Sequence, residues 1–326
     1  MSGQADNAAG DDRLVVIGGP TACGKSALAL ALAERFGGTV INADSMQAYR
    51  ELKILSARPS DEAMARVPHR LYGFLSAAER CSAGRWREAA LGAIAEARAG
   101  NRLPIVVGGT GLYLRALLDG LSEVPAVPAA IKAAVKALRD EGGSAAVFAR
   151  LAERDPEMAA RLRPSDTQRL IRALEVIEAT GRSLAAFQGA GGSGPYRGRV
   201  ACLVLEPPRA ALRAACDARF LVMIEQGAVK EVEALLALGL DPALPAMKAL
   251  GVRELGAYLA GRATLEHAVR DAQAATRQYA KRQQTWFRHQ LPGARRIAGL
   301  YGPDMIGDIV RIVAAGLGID HPESGD

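Results

Sequence analysis

The 326-residue sequence predicts an α/β fold of the P-loop NTPase-like kind, a parallel sheet flanked by helices and interrupted by a helical insertion. Three observations carry that prediction. Gly19-Pro20-Thr21-Ala22-Cys23-Gly24-Lys25-Ser26 fits the pattern G-x-x-x-x-G-K-[ST] in full, after the β-branched run Leu14–Ile17 and before the periodic Ala/Leu segment Ala27–Phe36. Short apolar runs of strand length return at Thr39–Asn42, Leu103–Val107 and Arg199–Glu206, with helical patterns between them. From about Asp119 to Gly189 the strand signal stops, and Pro125, Pro128, Pro156 and Pro164 punctuate helical patterns instead.

Taken in order, the first unit reads strand, loop, helix, strand. Glycines let the loop fold into a nest of N–H donors, and the helix that starts near Lys25 points its positive end at the same spot. Lys25 adds a full charge, while the Ser26 hydroxyl suits a phosphate or a bound Mg²⁺. The second strand delivers Asp44-Ser45-Met46-Gln47-Ala48-Tyr49-Arg50 at its carboxyl end, where ligands of parallel α/β sheets bind. Capping a turn is the plainer role for Asp44. Leu71–Leu75 reads as a further short strand and Gly84–Gly100 as an amphipathic helix. The Leu103–Val107 strand runs into Gly108-Gly109-Thr110-Gly111-Leu112-Tyr113, whose glycines bring backbone close to a neighbour and set the Thr110 hydroxyl near the crevice.

In the insertion, Ser165-Asp166-Thr167-Gln168 reads as a capping box opening a helix that stops at Gly181, with Arg169 and Arg172 on one face. Gly189–Gly198 is a flexible return linker. Residues 1–12 and 319–326 are expected to be tails, the first disordered, around a catalytic core of 13–118 and 199–318 and an insertion of 119–198. In the last long helix, about Leu265 to Leu291, Arg270, Arg277, Lys281 and Arg288 fall within roughly 20° of one line. Tyr279 and Trp286 lie nearly opposite. A basic ridge about 27 Å long suits either solvent or a phosphate backbone.

Composition narrows the setting. Forty-one Lys and Arg against 35 Asp and Glu leave +6, a modest excess compatible with an anionic partner. Four dispersed cysteines without a CxxC pair argue against a structural zinc site and a disulfide framework, and fit a reducing cytoplasm. No signal-peptide pattern precedes Leu14, and no apolar run reaches the roughly 18 residues a membrane span needs. A phosphate loop usually serves nucleoside triphosphates, with an acidic strand-end residue holding Mg²⁺ through water. Here Glu206 is the one candidate for that acid, and a kinase or ATPase stays open beside an enzyme that needs only a diphosphate.

The ordered motifs settle on one resemblance. The phosphate loop, Asp44–Arg50, Gly108–Tyr113, Asp166-Thr167-Gln168-Arg169-Leu170-Ile171-Arg172-Ala173-Leu174-Glu175 and Thr276-Arg277-Gln278-Tyr279-Ala280-Lys281-Arg282-Gln283-Gln284-Thr285-Trp286-Phe287-Arg288 run in the order of the tRNA dimethylallyltransferase family, which the chain resembles across about 14–290. The resemblance implies transfer of a dimethylallyl group from dimethylallyl diphosphate to the N6 amine of the adenosine just 3′ of a tRNA anticodon, with Mg²⁺; a cytoplasmic setting is expected from the composition, and a monomer is the default expectation. It implies that Gly19 to Ser26 and Arg219 hold the diphosphate, that Asp44 accepts the amine proton, and that Thr110 contacts the reacting base. Ser45, Met46, Gln47 and Gln168, Arg169, Leu170, Ile171 and Arg172 match tRNA-contacting positions; Arg277 and Lys281 add the basic ridge. An adenylate isopentenyltransferase acting on a free nucleotide is the nearest alternative. Cys23, Ser56-Ala57-Arg58-Pro59, Cys81 and Val252 depart from the usual family pattern, and a thiol beside Lys25 is expected to be oxidisable.

Overall fold

The computed structural model describes residues 12–189 and 192–319. Nearly all of the two expected tails therefore lies outside the described residues. The chain begins β1 (Leu14–Gly18), α1 (Lys25–Arg35), β2 (Gly38–Asn42), α2 (Asp61–Arg66), β3 (His69–Arg70), α3 (Ala83–Ala99), β4 (Leu103–Gly108) and α4 (Gly111–Asp119). It continues through β5 (Leu121–Ser122), α5 (Ala129–Arg154), α6 (Pro156–Arg161), α7 (Thr167–Thr180), α8 (Leu184–Gly189) and β6 (Gly192–Ser193). It closes with β7 (Val200–Glu206), α9 (Arg209–Glu225), α10 (Ala228–Ala237), α11 (Val252–Leu259), α12 (Leu265–Gln290), β8 (Arg295–Ala298) and α13 (Ile306–Leu317). Two compact units result, one up to Leu118 and again from Arg197, the other Asp119–Tyr196.

The first unit is organised by a parallel sheet in the order β3-β2-β4-β1-β7-β8. Every residue of β1 and β2 is buried, which explains why they read as continuous apolar runs rather than alternating ones. Val15 lies between Ile105 and Ala201, and Gly18 between Gly108 and Val204. That register brings the carboxyl ends of β1, β2, β4 and β7 to one edge, from which the phosphate loop and the Asp44 loop both emerge. Leu28, Leu32, Ile105, Leu203, Val313 and Leu317 fill the core on the α1 and α13 side. A second core under α9–α12 packs Tyr49, Leu52, Phe220, Val232 and Leu255.

Glu231 on α10 ties this second core to the loop after β2. Its carboxylate accepts the backbone N–H groups of Lys53 (2.7 Å), Ile54 (2.7 Å) and Leu55 (2.9 Å). Three donors converging on one charged acceptor fix the segment far better than packing alone.

The second unit is helical, as its sequence predicts, with Val147, Leu151, Leu170, Leu174 and Ile177 between α5 and α7. Gly143, at φ 67°, ψ −161°, breaks α5 into two stretches. Gly181 ends α7 in the left-handed conformation at φ 66°.

Four expectations need correction. The third strand is His69–Arg70, and Leu75 makes only an isolated parallel bridge with Tyr49. The capping box at Ser165 does not form: Asp166 is the N-cap, and no side chain caps the helix. The region expected to lack strands carries the antiparallel pair β5–β6, with Leu121 opposite Ser193, so part of the expected free linker is pinned. The sixth strand, β8, was not foreseen, because Ile297 alone of its four residues is buried.

Candidate active site

The phosphate loop follows β1 and ends at Gly24, whose φ of 90° lies in the left-handed region. A Cβ there would stand 2.9 Å from the Tyr301 Cβ, so both conformation and space require glycine. α1 begins at once with Lys25, so its unpaired N–H groups and positive end face the loop. Lys25 is buried and folds back until its Nζ lies 3.4 Å from the Pro20 carbonyl. Ser26 is half-buried on the first turn. From α9, the Arg219 guanidinium donates to the Thr21 hydroxyl, which brings this arginine onto the loop across the sequence. Burial disfavours its charged form, with the Cys216 thiol and Asp44 opposing that.

Cys23 corrects an expectation. Its side chain is fully buried and burial pushes the thiol up, so the sulfur beside Lys25 is a packing atom rather than a reactive one. All four cysteines are free thiols.

The Asp44 loop is built from side chains. Asn42, fully buried at the end of β2, accepts the Asp44 N–H at 2.8 Å and donates to the carbonyls of Asp44 and Leu71, both at 2.9 Å. Asp44 Oδ1 accepts the Met46 N–H at 3.0 Å; Oδ2 has no partner among the described residues. Thr110, at the start of the loop after β4, donates its N–H to Ala43 O (3.2 Å). Its Oγ1 accepts the Ser45 N–H (2.9 Å) and donates to Ser45 Oγ (3.2 Å). Gly108 permits this approach, since a Cβ there would lie 2.1 Å from the Ala43 carbonyl. Gln47 is buried, and its amide holds the carbonyls of Ser56 and Ala57 at 3.0 Å, so it shapes the loop rather than presenting its side chain to a ligand.

These pieces meet in one cavity of about 340 Å³. Thr21 and Arg219 line its phosphate-loop side, Asp44, Ser45 and Met46 another wall, and Leu55, Phe220 and Met223 an apolar wall. Tyr279 and Arg282 of α12 complete it. Burial and the Asp44 charge both raise the Tyr279 phenol, which is therefore a neutral hydroxyl. Lys25 and Thr110 are not among the lining residues; Thr110 reaches the cavity through Ser45.

Among the described residues no group of three or more His, Cys, Asp or Glu side chains gathers where a metal ion would sit. Glu206 pairs with Arg288 at 2.7 Å and is not among the residues lining the cavity. The basic ridge is largely neutralised: Arg270 pairs with Glu266 (3.6 Å) and Arg277 with Asp217 (2.5 Å). Lys281 has no carboxylate partner among the described residues. In the second unit, Gln168 and Arg169 are exposed on α7, and Arg172 lies 3.7 Å from Glu175. Leu170 is fully buried in that unit's core and Ile171 packs partly against it, so neither presents a free side chain.

A model of the IPP transferase family matches residues 47–290, and one of the isopentenyl transferases matches 12–76. The chain belongs to this family. Its relatives include the tRNA dimethylallyltransferases of Rhodospirillum centenum, 60% identical over 87% of this chain and 90% of that one, and of Parvibaculum lavamentivorans, 55% identical over 86% and 88%. Among solved structures, the full-length tRNA isopentenylpyrophosphate transferase of Bacillus halodurans is 32% identical, with a TM-score of 0.69 over 94% of this chain and 97% of that one. A eukaryotic dimethylallyltransferase acting on tRNA, 23% identical, shares the fold with a TM-score of 0.81 over 96% of this chain and 81% of that one. The family motifs quoted from the sequence include Gln283 and stop short of Asn42, yet neither was singled out. A buried amide inside a helix or at a strand end leaves no periodic signal.

Proposed function

We propose that this family member transfers the dimethylallyl group of dimethylallyl diphosphate to the exocyclic N6 amine of the adenosine immediately 3′ of the anticodon in tRNA, releasing diphosphate. One observation carries the reading: a carboxylate with a free oxygen and the arginine-backed end of a diphosphate loop line a single cavity. The allylic C–O bond breaks and the N–C bond forms, so negative charge grows on the leaving diphosphate. The loop N–H groups, Lys25 and Arg219 stabilise that charge where it develops. The adenine amine is a weak nucleophile that needs placement and a proton acceptor. Asp44 Oδ2 takes that proton, while Met46 and Asn42 fix the rest of the residue. The Thr110–Ser45 hydroxyl pair braces the wall against which the base sits.

Ser26 is a hard oxygen donor on the first turn, and the absence of a protein carboxylate cluster among the described residues suits an ion held mainly by phosphate oxygens and water. Mg²⁺ fits that donor set; bound through Ser26, it would supply further neutralisation of the diphosphate charge.

The reacting base has to leave the anticodon stack, and the helical insertion of 119–198 is assigned to gripping the stem and loop through Gln168, Arg169 and Arg172. Lys281 and, less strongly, Arg277 serve the phosphate backbone. The working form is taken as a cytoplasmic monomer; among the described residues no helix is long and apolar enough to cross a membrane. The test is incubation of the purified chain with labelled dimethylallyl diphosphate, Mg²⁺ and unmodified tRNA, followed by digestion. Label on N6-dimethylallyladenosine from the position 3′ of the anticodon supports the reading. Label on added AMP but not on tRNA would move the chain to the free-nucleotide transferases.

A further inference from the structure

We infer that Gln283 of α12 is a positioning residue, setting the distance between the diphosphate loop and the loop pair that carries Asp44 and Thr110; the inference rests on the reaction proposed above. Its Oε1 accepts the Thr21 N–H at 2.8 Å, and its Nε2 donates to the Gly109 carbonyl at 2.8 Å. One planar amide thereby joins loops whose residues lie nearly ninety positions apart, and it belongs to an element distant from both in sequence. Gln283 is 5% exposed, so neither bond competes with bulk water.

The surroundings leave the amide little choice. A Cβ on Gly109 would meet Gln283 Nε2 at 2.3 Å and Asp44 Oδ2 at 3.3 Å, so backbone, amide and carboxylate converge on one point. The next turn of α12 is engaged as well: Trp286 covers Gly111 and Phe287 packs on Gly18. α12 is therefore seated against the ends of β1 and β4, and Gln283 is its polar contact with both following loops.

Two consequences separate this role from mere packing. The Thr21 N–H is committed to Gln283, so the diphosphate is held by the remaining loop donors while Thr21 keeps its hydroxyl for Arg219. Moreover, each loop has its own internal bonds and keeps its own ligand affinity without Gln283. What is lost is the register between leaving group and proton acceptor, which belongs to the chemical step.

The experiment compares wild type, Gln283→Met and Gln283→Glu. Met fills the volume without either bond. Glu keeps the acceptor for Thr21 and, when ionised, loses the donor to Gly109. Single-turnover transfer at saturating dimethylallyl diphosphate and tRNA is read beside the separate equilibrium affinities for inorganic diphosphate and tRNA, and the melting temperature. Expected for Met is a rate loss on the order of 10²-fold, with both affinities within about twofold of wild type. For Glu, the rate relative to wild type should recover as pH falls and the carboxyl regains a proton to donate. A Met variant as fast as wild type overturns the inference. Equal loss of rate and of both affinities, with a lowered melting temperature in both variants, also overturns it and leaves Gln283 a purely structural residue. If wild type itself transfers nothing to tRNA, the proposed reaction has failed and this inference with it; a wild type that works beside unimpaired variants sinks this inference alone.

Discussion

The phosphate loop and the Asp44 loop open onto one cavity but are made by different means. The first is a backbone device: a left-handed glycine, the start of α1 and a buried lysine create its affinity for negative charge. The second depends on side chains: the Asn42 amide holds the Asp44 backbone and the Thr110 hydroxyl holds Ser45, while the Met46 N–H engages one carboxylate oxygen of Asp44 and leaves the other without a partner among the described residues. A loop made of backbone tolerates changes in most of its side chains, which is how Cys23 can stand in it as a packing atom. A loop made of side chains has no such tolerance, and single substitutions should expose the contrast.

The largest effect should come from Asp44→Asn, which keeps the acceptor for Met46 and removes the base. Single-turnover transfer should fall by about 10²–10⁴-fold while both substrate affinities hold; a normal rate would remove Asp44 from the chemistry. Lys25→Ala should sharpen the contrast from the other side. It should weaken inorganic diphosphate by about 10- to 10²-fold and tRNA hardly at all, as titrations of each ligand would show. Equal losses would mean a damaged fold. Asn42→Ala tests whether the second loop is truly held by side chains. It leaves the Asp44 N–H and two carbonyls without their part-buried partner, so denaturant unfolding should register a loss of about 1–3 kcal/mol. An unchanged midpoint would show that the loop holds its shape without Asn42. The smallest effect lies outside both loops, on the basic ridge. Lys281→Ala should lower the salt slope of tRNA binding by about 0.7–0.9, whereas Arg277→Ala should lower it less, because Arg277 already faces Asp217. Slopes unchanged from wild type in both variants would return the ridge to solvent.

The same division decides how much was legible in advance. Backbone devices leave a mark in the sequence, since glycines, a lysine and a β-branched run must stand at fixed spacings; the phosphate loop, β1, β2, β4 and β7 could all be read from them. Side-chain devices depend on partners that folding supplies. Nothing near Asn42 announces that it will clamp Asp44 and Leu71. Helical spacing aligned Arg270, Arg277, Lys281 and Arg288 on α12 but was blind to Asp217, 60 positions from Arg277, and Glu206, 82 from Arg288. Resemblance placed Leu170 and Gln47 among residues that face RNA; packing draws the first into a core and the second onto Ser56 and Ala57. Two-residue strands such as β3, β5 and β6 are too short for any periodicity to show.

Tyr301 closes on the phosphate loop as well as filling space beside it: its N–H donates to the Cys23 carbonyl at 3.0 Å, and its Cβ abuts Gly24. The anion nest is thus walled in part by a residue that stands far along the chain from the motif. The motif by itself therefore does not supply every contact of the nest: part of its outer wall comes from Tyr301, which the pattern of glycines and lysine does not include.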